Sequence, residues 1–339
     1  MKRFLLLAFL LLGVFIAKAQ TPYVNPVIKH NCPDPSVIDD RARTGYFYAY
    51  STQSMVPGKG YAVMPVYRSK DMVNWEFVCD GFAGKSPDWC PEGRLWAPDI
   101  NYVDGRYVLY YAMGVWGDLV KSSSGVAVSD SPCGPFEDKG MIVSYANTGV
   151  LNCIDPFFIE DCGKKYLFWG SLGRGSGIWA AELSDDGLSL REGAAPQFIG
   201  GTNMEGTYIL KHNGYFFIFT SQGTCCAGEK STYHVLVARS KDIFGPYMSP
   251  DGEYLIYNKY NYTLLSKGVD NMFVGTGHNS EILVDDAGQM WMYYHAFWKA
   301  NDYHGRCMLM DKIEWDASGW PFIATGHPSY DGFGPVVNK

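Results

Sequence analysis

The sequence predicts an all-β chain folded as a five-bladed β-propeller. Two recurrences carry that expectation. In the first, a carboxylate or a His–Asn pair opens a short apolar run, a turn follows, and an aromatic-rich strand comes next. The openings are Asp34 in CPDPSVI, Asp99 in WAPDINYV, Asp155 in CIDPFFI, Glu205 in MEGTYIL and His278-Asn279 in GHNSEIL. The aromatic strands are GYFYAYST, GRYVLYYA, KKYLFWGS, GYFFIFTS and QMWMYYHA. In the second, VYRSKDMVNWEFV, VAVSDSPCGPFED, AAELSDDGLSL, VARSKDIFGPYMS and KIEWDASGWPF each pass from an apolar strand through a polar turn to an outer strand. Short alternating runs bounded by Asp, Ser, Gly and Pro are antiparallel strands. Sheets repeated radially around a channel are the propeller arrangement.

Residues 1–19 read as a targeting segment. Lys2 and Arg3 precede an apolar run from Phe4 to Ile16, and Ala17-Lys18-Ala19 supplies an A-x-A cleavage site before Gln20. That run is too short to span a bilayer. The mature protein is expected to be soluble, exported to the periplasm or the cell exterior, and monomeric, with no membrane insertion. Residues 20–339 are then one propeller domain, with blades at roughly 30–80, 95–138, 150–195, 203–250 and 275–325. The last segment, HPSYDGFGP, is expected to return against the N-terminal strand and close the ring.

Composition supports a large packed core: 47% of the 339 residues are apolar and 16% aromatic. Loss of Lys2, Arg3 and Lys18 with the leader, which holds no acid, takes the formal charge from −7 to −10. An acidic chain without a basic cluster is a poor nucleic-acid binder. Nine cysteines are too few for a disulfide-built scaffold, and none forms a CxxC pair at zinc spacing. Cys225 and Cys226 are adjacent and can be a vicinal pair, simple packing, or partners of other cysteines. GKGYAVMP fits neither a phosphate-loop nor a dinucleotide pattern. Asn261-Tyr262-Thr263 is a glycosylation sequon.

The innermost strand of a blade runs along the propeller axis, so its first residues meet their counterparts. Asp34, Asp99, Asp155, Glu205 and His278 each stand four residues before an apolar position, which places all five in one register around one pocket. Two carboxyls can cleave a glycosidic bond, one protonated at the leaving oxygen and one ionised toward the anomeric carbon. Glu205 is expected to be the general acid, since it is longer than Asp and Gly206 keeps space beside it. Asp34 is expected to be the base for water. Asp155 would orient substrate and raise the Glu205 pKa by like-charge repulsion. Inversion needs the two carboxyls roughly 6.5–9.5 Å apart. Asp99 either binds a sugar hydroxyl or caps a turn. Trp96, Trp116, Phe157 and Trp169 either stack on sugar faces or fill the core. Arg94 and Arg306 could bind hydroxyls. Asn279 is a candidate substrate ligand. His278 could hold a hydrated cation, order a water, bond a carboxylate or be a satisfied core histidine.

These motifs in this order, over residues 25–325, resemble glycoside hydrolase family 43. The resemblance implies a five-bladed propeller, hydrolysis with inversion, Asp34 as base, Asp155 as pKa modulator and Glu205 as acid. It sets His278 beside a hydrated calcium or similar ion, with no cofactor needed for the chemistry itself. The implied partner is a plant cell-wall polysaccharide or oligosaccharide. QGTCCAGEKSTYHVLVARSKDIFGPY, GTGHNSEI and YYHAF are similar to arabinan-cleaving members, which implies α-1,5-L-arabinofuranosidic linkages as substrate. Thr207 stands where many xylosidase-like members carry Pro. The alternatives are a β-xylosidase, endo-xylanase or α-L-arabinofuranosidase acting on arabinoxylan fragments, and a non-catalytic sugar-binding propeller. Endo or exo action would depend on loops 53–66, 84–95 and 114–122, and GKGYAVMP could wall one end of the cleft.

Overall fold

A computed structural model describes residues 20–173, 175–257 and 262–338. The leader at 1–19 and Asn261 of the sequon lie outside the described residues. The chain forms a five-bladed propeller of antiparallel sheets. Blade 1 runs Ser36–Asp39, Phe47–Tyr50, Pro65–Ser69, Glu76–Asp80 from axis to rim. Blade 2 runs Arg94–Val103, Arg106–Gly114, Ser123–Ser129, Glu137–Val143. Blade 3 runs Phe157–Asp161, Lys164–Trp169, Ile178–Glu182, Gln197–Gly200. Blade 4 runs Met204–His212, Tyr215–Gln222, His234–Ser240, Thr263–Leu265. In blade 5 the inner strand is split into Phe273–Gly277 and Ile282–Val284, followed by Met290–Trp298, Arg306–Trp315 and Pro321–Phe322. Among the described residues no helix is long and apolar enough to cross a membrane.

The aromatic strands are the second strand of every blade, packed on both faces against neighbouring blades. That is why they read as continuous apolar runs rather than alternating ones. Tyr110, Tyr111, Tyr293 and Tyr294 are fully buried there. Burying each such ring contributes roughly 1.5–3 kcal/mol, so the seams between blades carry much of the stability. Tyr50, Leu95 and Tyr111 fill the seam between blades 1 and 2, and Val108, Phe158 and Leu167 that between blades 2 and 3. In blades 3 and 4 the outer strand comes later than the sequence pattern suggests. The segments ending in GLSL and PYMS form only isolated bridges, Leu183 to Leu190 and Arg239 to Met248. The chain makes an extra excursion before the fourth strand.

HPSYDGFGP closes the ring as expected: Asp331–Phe333 pairs with Pro22–Val24. Asn25 secures this latch. Its side-chain amide donates to the carbonyls of Met310 at 2.8 Å and Ser329 at 3.0 Å, and its Oδ1 accepts the Met310 N–H at 3.0 Å. Beside it, the buried Asp311 carboxyl accepts from the Tyr294 hydroxyl at 2.5 Å and the Ser329 N–H at 3.2 Å.

A second set of bonds holds the axis. The innermost strand of every blade donates a backbone N–H to a side chain of the preceding blade. Val37 donates to Glu281 Oε2 at 2.7 Å, Ile100 to Ser36 Oγ at 3.0 Å and Phe158 to Asp99 Oδ2 at 2.8 Å. Gly206 donates to Asp155 Oδ2 at 3.1 Å and Ile282 to the Tyr208 hydroxyl at 3.1 Å. The five bonds form a closed girdle.

Two predictions follow from the latch. Asn25→Ala leaves a buried carbonyl and N–H of Met310 without their side-chain partner, so the unfolding free energy should fall by roughly 2–4 kcal/mol in denaturant titration. Burial pushes the Asp311 carboxyl up to about 6, against the bonds from Ser329 and Tyr294. The folded state therefore keeps a proton that the unfolded chain releases near the ordinary value of 3.8. Stability drawn from this group is full below that value and is lost as pH rises toward about 6, with a slope of up to about 1.4 kcal/mol per pH unit. Asp311→Asn should flatten the slope in that window, as read from melts at a series of pH values.

Candidate active site

The site is built where the five inner strands begin. At each inner end one residue takes the left-handed conformation: Asp34 (φ 53°), Ala97 (φ 38°), Asp155 (φ 55°), Gly206 (φ 61°) and His278 (φ 49°). A non-glycine residue held there costs on the order of 1–3 kcal/mol and persists only where its surroundings fix it. At Gly206 a Cβ would also lie 3.2 Å from the ring of His278, so the glycine makes room for the imidazole. These positions define the true register. It matches the expectation for Asp34, Asp155 and His278 and departs from it in two blades. The counterpart of Asp34 in blade 2 is Ala97, and Asp99 falls two residues deeper. In blade 4 the counterpart is Gly206, which leaves Glu205 one residue nearer the cavity mouth.

Asp34, Asp155, Glu205 and His278 line one open cavity of about 560 Å³. The Asp34 carboxyl accepts from Arg306 at 2.8 Å on Oδ1 and from the Thr52 hydroxyl at 2.6 Å on Oδ2. Its backbone N–H donates to His295 Nδ1 at 3.1 Å, and His278 Nδ1 lies 3.5 Å from Oδ1. Burial alone would push Asp34 up, but Arg306, His278 and His295 together hold it well below the usual carboxylate range. Asp155 is in the opposite environment. Burial, then the negative charges of Glu205 and Asp34, push it well above that range, and the Gly206 N–H offsets them only in part. Glu205 accepts from the Tyr233 hydroxyl at 2.8 Å on Oε1 and from Ser171 on Oε2. Tyr233 stacks on His295, with centroids 5.7 Å apart, and His295 stacks on His278 at 6.2 Å. Burial, then Arg306, lowers the His295 pKa to about 4, so this ring is neutral at neutral pH.

Trp96 and Trp116 form one cavity wall, edge to face with centroids 6.2 Å apart. Trp116 is 80% exposed, and Gly114 gives the Trp96 ring its place, since a Cβ there would lie 1.8 Å from it. The other expected substrate ligands do not reach the cavity. Trp169 is fully buried in the seam between blades 2 and 3. Phe157 packs edge-on against Tyr208 in the core. Asp99 and Asn279 are buried in a narrow channel beneath the cavity, which Phe157 also lines. Arg94 bonds its neighbouring Gly93 carbonyl instead. The GKGYAVMP segment folds as a hairpin, Ser54–Val56 with Gly60–Ala62, and none of its residues lines the cavity. Val115, Trp116, Gly117 and Leu119 do.

Sequence reasoning missed Thr52, Ser171, Tyr233 and His295 and did not place Arg306. A signal for several of them was present. Four of the five aromatic strands end in small polar residues or histidine, and Thr52, Ser171, Ser221 and His295 lie at that end. Ser221 Oγ accepts the His278 N–H at 2.8 Å.

All nine cysteines stand as thiols. Cys225 and Cys226 line the cavity side by side. The Cys226 pKa is lowered by Cys225 first, and also by Arg306, against its burial. Among the described residues no group of three or more His, Cys, Asp or Glu side chains is placed to hold a metal ion. His278 supplies one imidazole, and Asp34 and Asp155 lie within 4 Å of it. That donor set suits only a cation that keeps most of its water, as hard cations do.

A propeller whose axis gathers three carboxyls from three blades, beside an aromatic wall in a cavity of sugar size, defines a glycoside-cleaving enzyme of the two-carboxyl type. The chain belongs to glycosyl hydrolase family 43, whose family model matches residues 23–321. It is 33% identical over 288 residues to an extracellular exo-α-(1→5)-L-arabinofuranosidase of Cellvibrio japonicus, covering 76% of this chain and 79% of the relative. It is 31% identical over 302 residues to extracellular endo-α-(1→5)-L-arabinanase 1 of Bacillus subtilis, covering 85% and 86%. Among solved structures, an α-L-arabinanase of Cellvibrio cellulosa complexed with arabinohexaose superposes with a TM-score of 0.76 at 28% identity, covering 87% of this chain and 96% of that one.

The Cys226 thiol gives a direct probe of the cavity. Iodoacetamide should inactivate the reduced enzyme, a bound sugar should slow the inactivation, and Cys226→Ser should resist it. Residual activity after stoichiometric labelling at Cys226 measures how far the thiol stands from the sugar path.

Proposed function

We propose that the protein is an exported glycosidase that hydrolyses α-1,5-L-arabinofuranosidic linkages of arabinan or arabino-oligosaccharides with inversion. The observation that carries this reading is the electrostatic contrast between carboxyls in one cavity. Arg306 holds Asp34 well below the usual carboxylate range, while burial and the neighbouring acids push Asp155 well above it. Asp34 takes a proton from water as that water attacks the anomeric carbon. Glu205 delivers a proton to the leaving oxygen from the other side. Its longer side chain and its place nearer the cavity mouth suit that task. Asp155, pushed up by burial and by the neighbouring acids, is suited to hold a proton beside Glu205.

Trp96 and Trp116 would stack on the apolar faces of bound arabinose units, and the arabinan-acting relatives support that substrate. A hydrated calcium-like ion beside His278 would offset negative charge beneath the sugar. His278 would then hold it and the water shell would complete its coordination. The relatives named as extracellular and the leader-like residues 1–19 support export to the periplasm or beyond.

The test is turnover of debranched arabinan by the wild-type, Asp34→Asn and Glu205→Gln proteins. Each substitution should cost on the order of 10²–10⁴-fold in kcat. Glu205→Gln should recover in part on aryl arabinofuranosides with acidic leaving groups, which need no protonation. The first-formed sugar should be the β-anomer by proton NMR. Faster cleavage of an aryl xyloside than of linear arabinan would overturn the substrate assignment.

A further inference from the structure

Beneath the cavity the girdle contains two carboxyls that the mechanism above does not use. Asp99 of blade 2, buried, and Glu281 of blade 5, half-buried, line the same narrow channel, and Ser36, bonded to Glu281, also takes the N–H of Ile100 next to Asp99. Two carboxyls can share a hydrogen bond only if one carries a proton. The remaining bonds say which one. Both oxygens of Glu281 already accept, Oε1 from the Ser36 hydroxyl at 2.9 Å and Oε2 from the Val37 N–H at 2.7 Å. An ionised Glu281 satisfies both bonds, with neither of its oxygens needed as a donor. On Asp99 only Oδ2 is so engaged, accepting from the Phe158 N–H at 2.8 Å and from Asn101 Nδ2 at 2.7 Å. Its Oδ1 is left to donate toward Glu281.

Each end of this pair holds the backbone just past a catalytic turn. Glu281 grips Ser36 and Val37, two and three residues after Asp34. Asp99 grips Phe158, three residues after Asp155. We propose that Asp99 and Glu281 form a one-proton carboxyl pair, Asp99 as donor and Glu281 as ionised acceptor, that fixes the separation of Asp34 and Asp155 from below. Both are positioning residues; neither lines the cavity. The titratable groups facing the pair are Tyr110 of blade 2 and Tyr208 of blade 4. Asp155 and His278 stand at the upper end of the same channel. Burial raises both carboxyls; at Asp99 the charge of Glu281 adds to it, whereas at Glu281 the bonds from Asp99, Val37 and Ser36 oppose it, which agrees with the assigned proton.

The chemistry sets different outcomes for variants of similar shape. In Asp99→Asn the carbonyl oxygen can keep the Phe158 bond, and the amide nitrogen replaces the acid O–H toward Glu281. In Glu281→Gln the amide nitrogen must face either the Val37 N–H, a donor, or the Ser36 hydroxyl, whose bond to residue 281 is then lost or reversed while it still accepts from Ile100. Turnover of debranched arabinan should therefore stay within about threefold of wild type in Asp99→Asn. It should fall at least about tenfold in Glu281→Gln and in Asp99→Ala, chiefly in kcat with KM little changed, because misplaced reacting groups lose rate rather than binding. Thermal melts identify any variant that does not fold. If Asp99→Ala fails to fold, the Asp99→Asn and Glu281→Gln comparison decides.

The proposal rests on the reading of Asp34 and Asp155 above, and the two can fail separately. A wild-type protein inactive on arabinan would count against the substrate reading alone. The pair is then judged by infrared difference spectra at neutral pH, in which Asp99→Asn should remove one protonated-carboxyl band. An unchanged spectrum, a folded Asp99→Asn as impaired as Asp99→Ala, or a fully active Glu281→Gln overturns it.

Discussion

Five backbone N–H groups, one per blade, hold the axis of this propeller at a fixed radius, and the chemistry depends on that radius. Asp34, Asp155 and Glu205 come from three different sheets and share no local turn, helix or loop. Apolar seams press the blades together, but they are non-directional and tolerate sliding. The girdle bonds are directional, and four of the five are buried. A lost partner would leave a polar group without water or protein to satisfy it, so the cost of slippage is concentrated where the acids must keep their spacing.

On this frame the protein places chemically similar groups in unlike surroundings. Asp34 sits against a half-buried guanidinium and two imidazoles, one of them neutral by burial. Asp155 faces two other acids, offset only in part by the Gly206 N–H and the more distant Arg306. A few ångströms of displacement by one blade would remove the contrast, because it depends on Arg306 from blade 5 reaching across to Asp34 in blade 1. The aromatic stack of Tyr233, His295 and His278 keeps the cavity floor rigid while its hydroxyl and ring nitrogens orient acids on both sides.

Much of this was legible in the sequence because a propeller repeats its local pattern. The aromatic second strands and the polar openings recur in order, and they located the blades and the three acids. The error in blade 2 came from aligning on the carboxylate. Aligning on proline instead sets Pro35, Pro98 and Pro156 together, which matches Ala97 with Asp34 and Asp155 and moves Asp99 down the channel. Trp169 and Phe157 could not be assigned from position alone. A ring near a strand end may face a seam or a cavity according to the pleat, and the seam won for both. Arg306 and Tyr233 were out of reach for another reason: they act on acids far away in the chain, and only closure of the ring brings them near.

That closure has a cost for any chain made from its N-terminus. Some three hundred residues separate Pro22–Val24 from its partner Asp331–Phe333. While that stretch is being made the first strand presents unpaired N–H and C=O groups, a template for another copy of the same segment. The shortness of that strand, and the Pro at its start, limit the aggregation hazard during the wait.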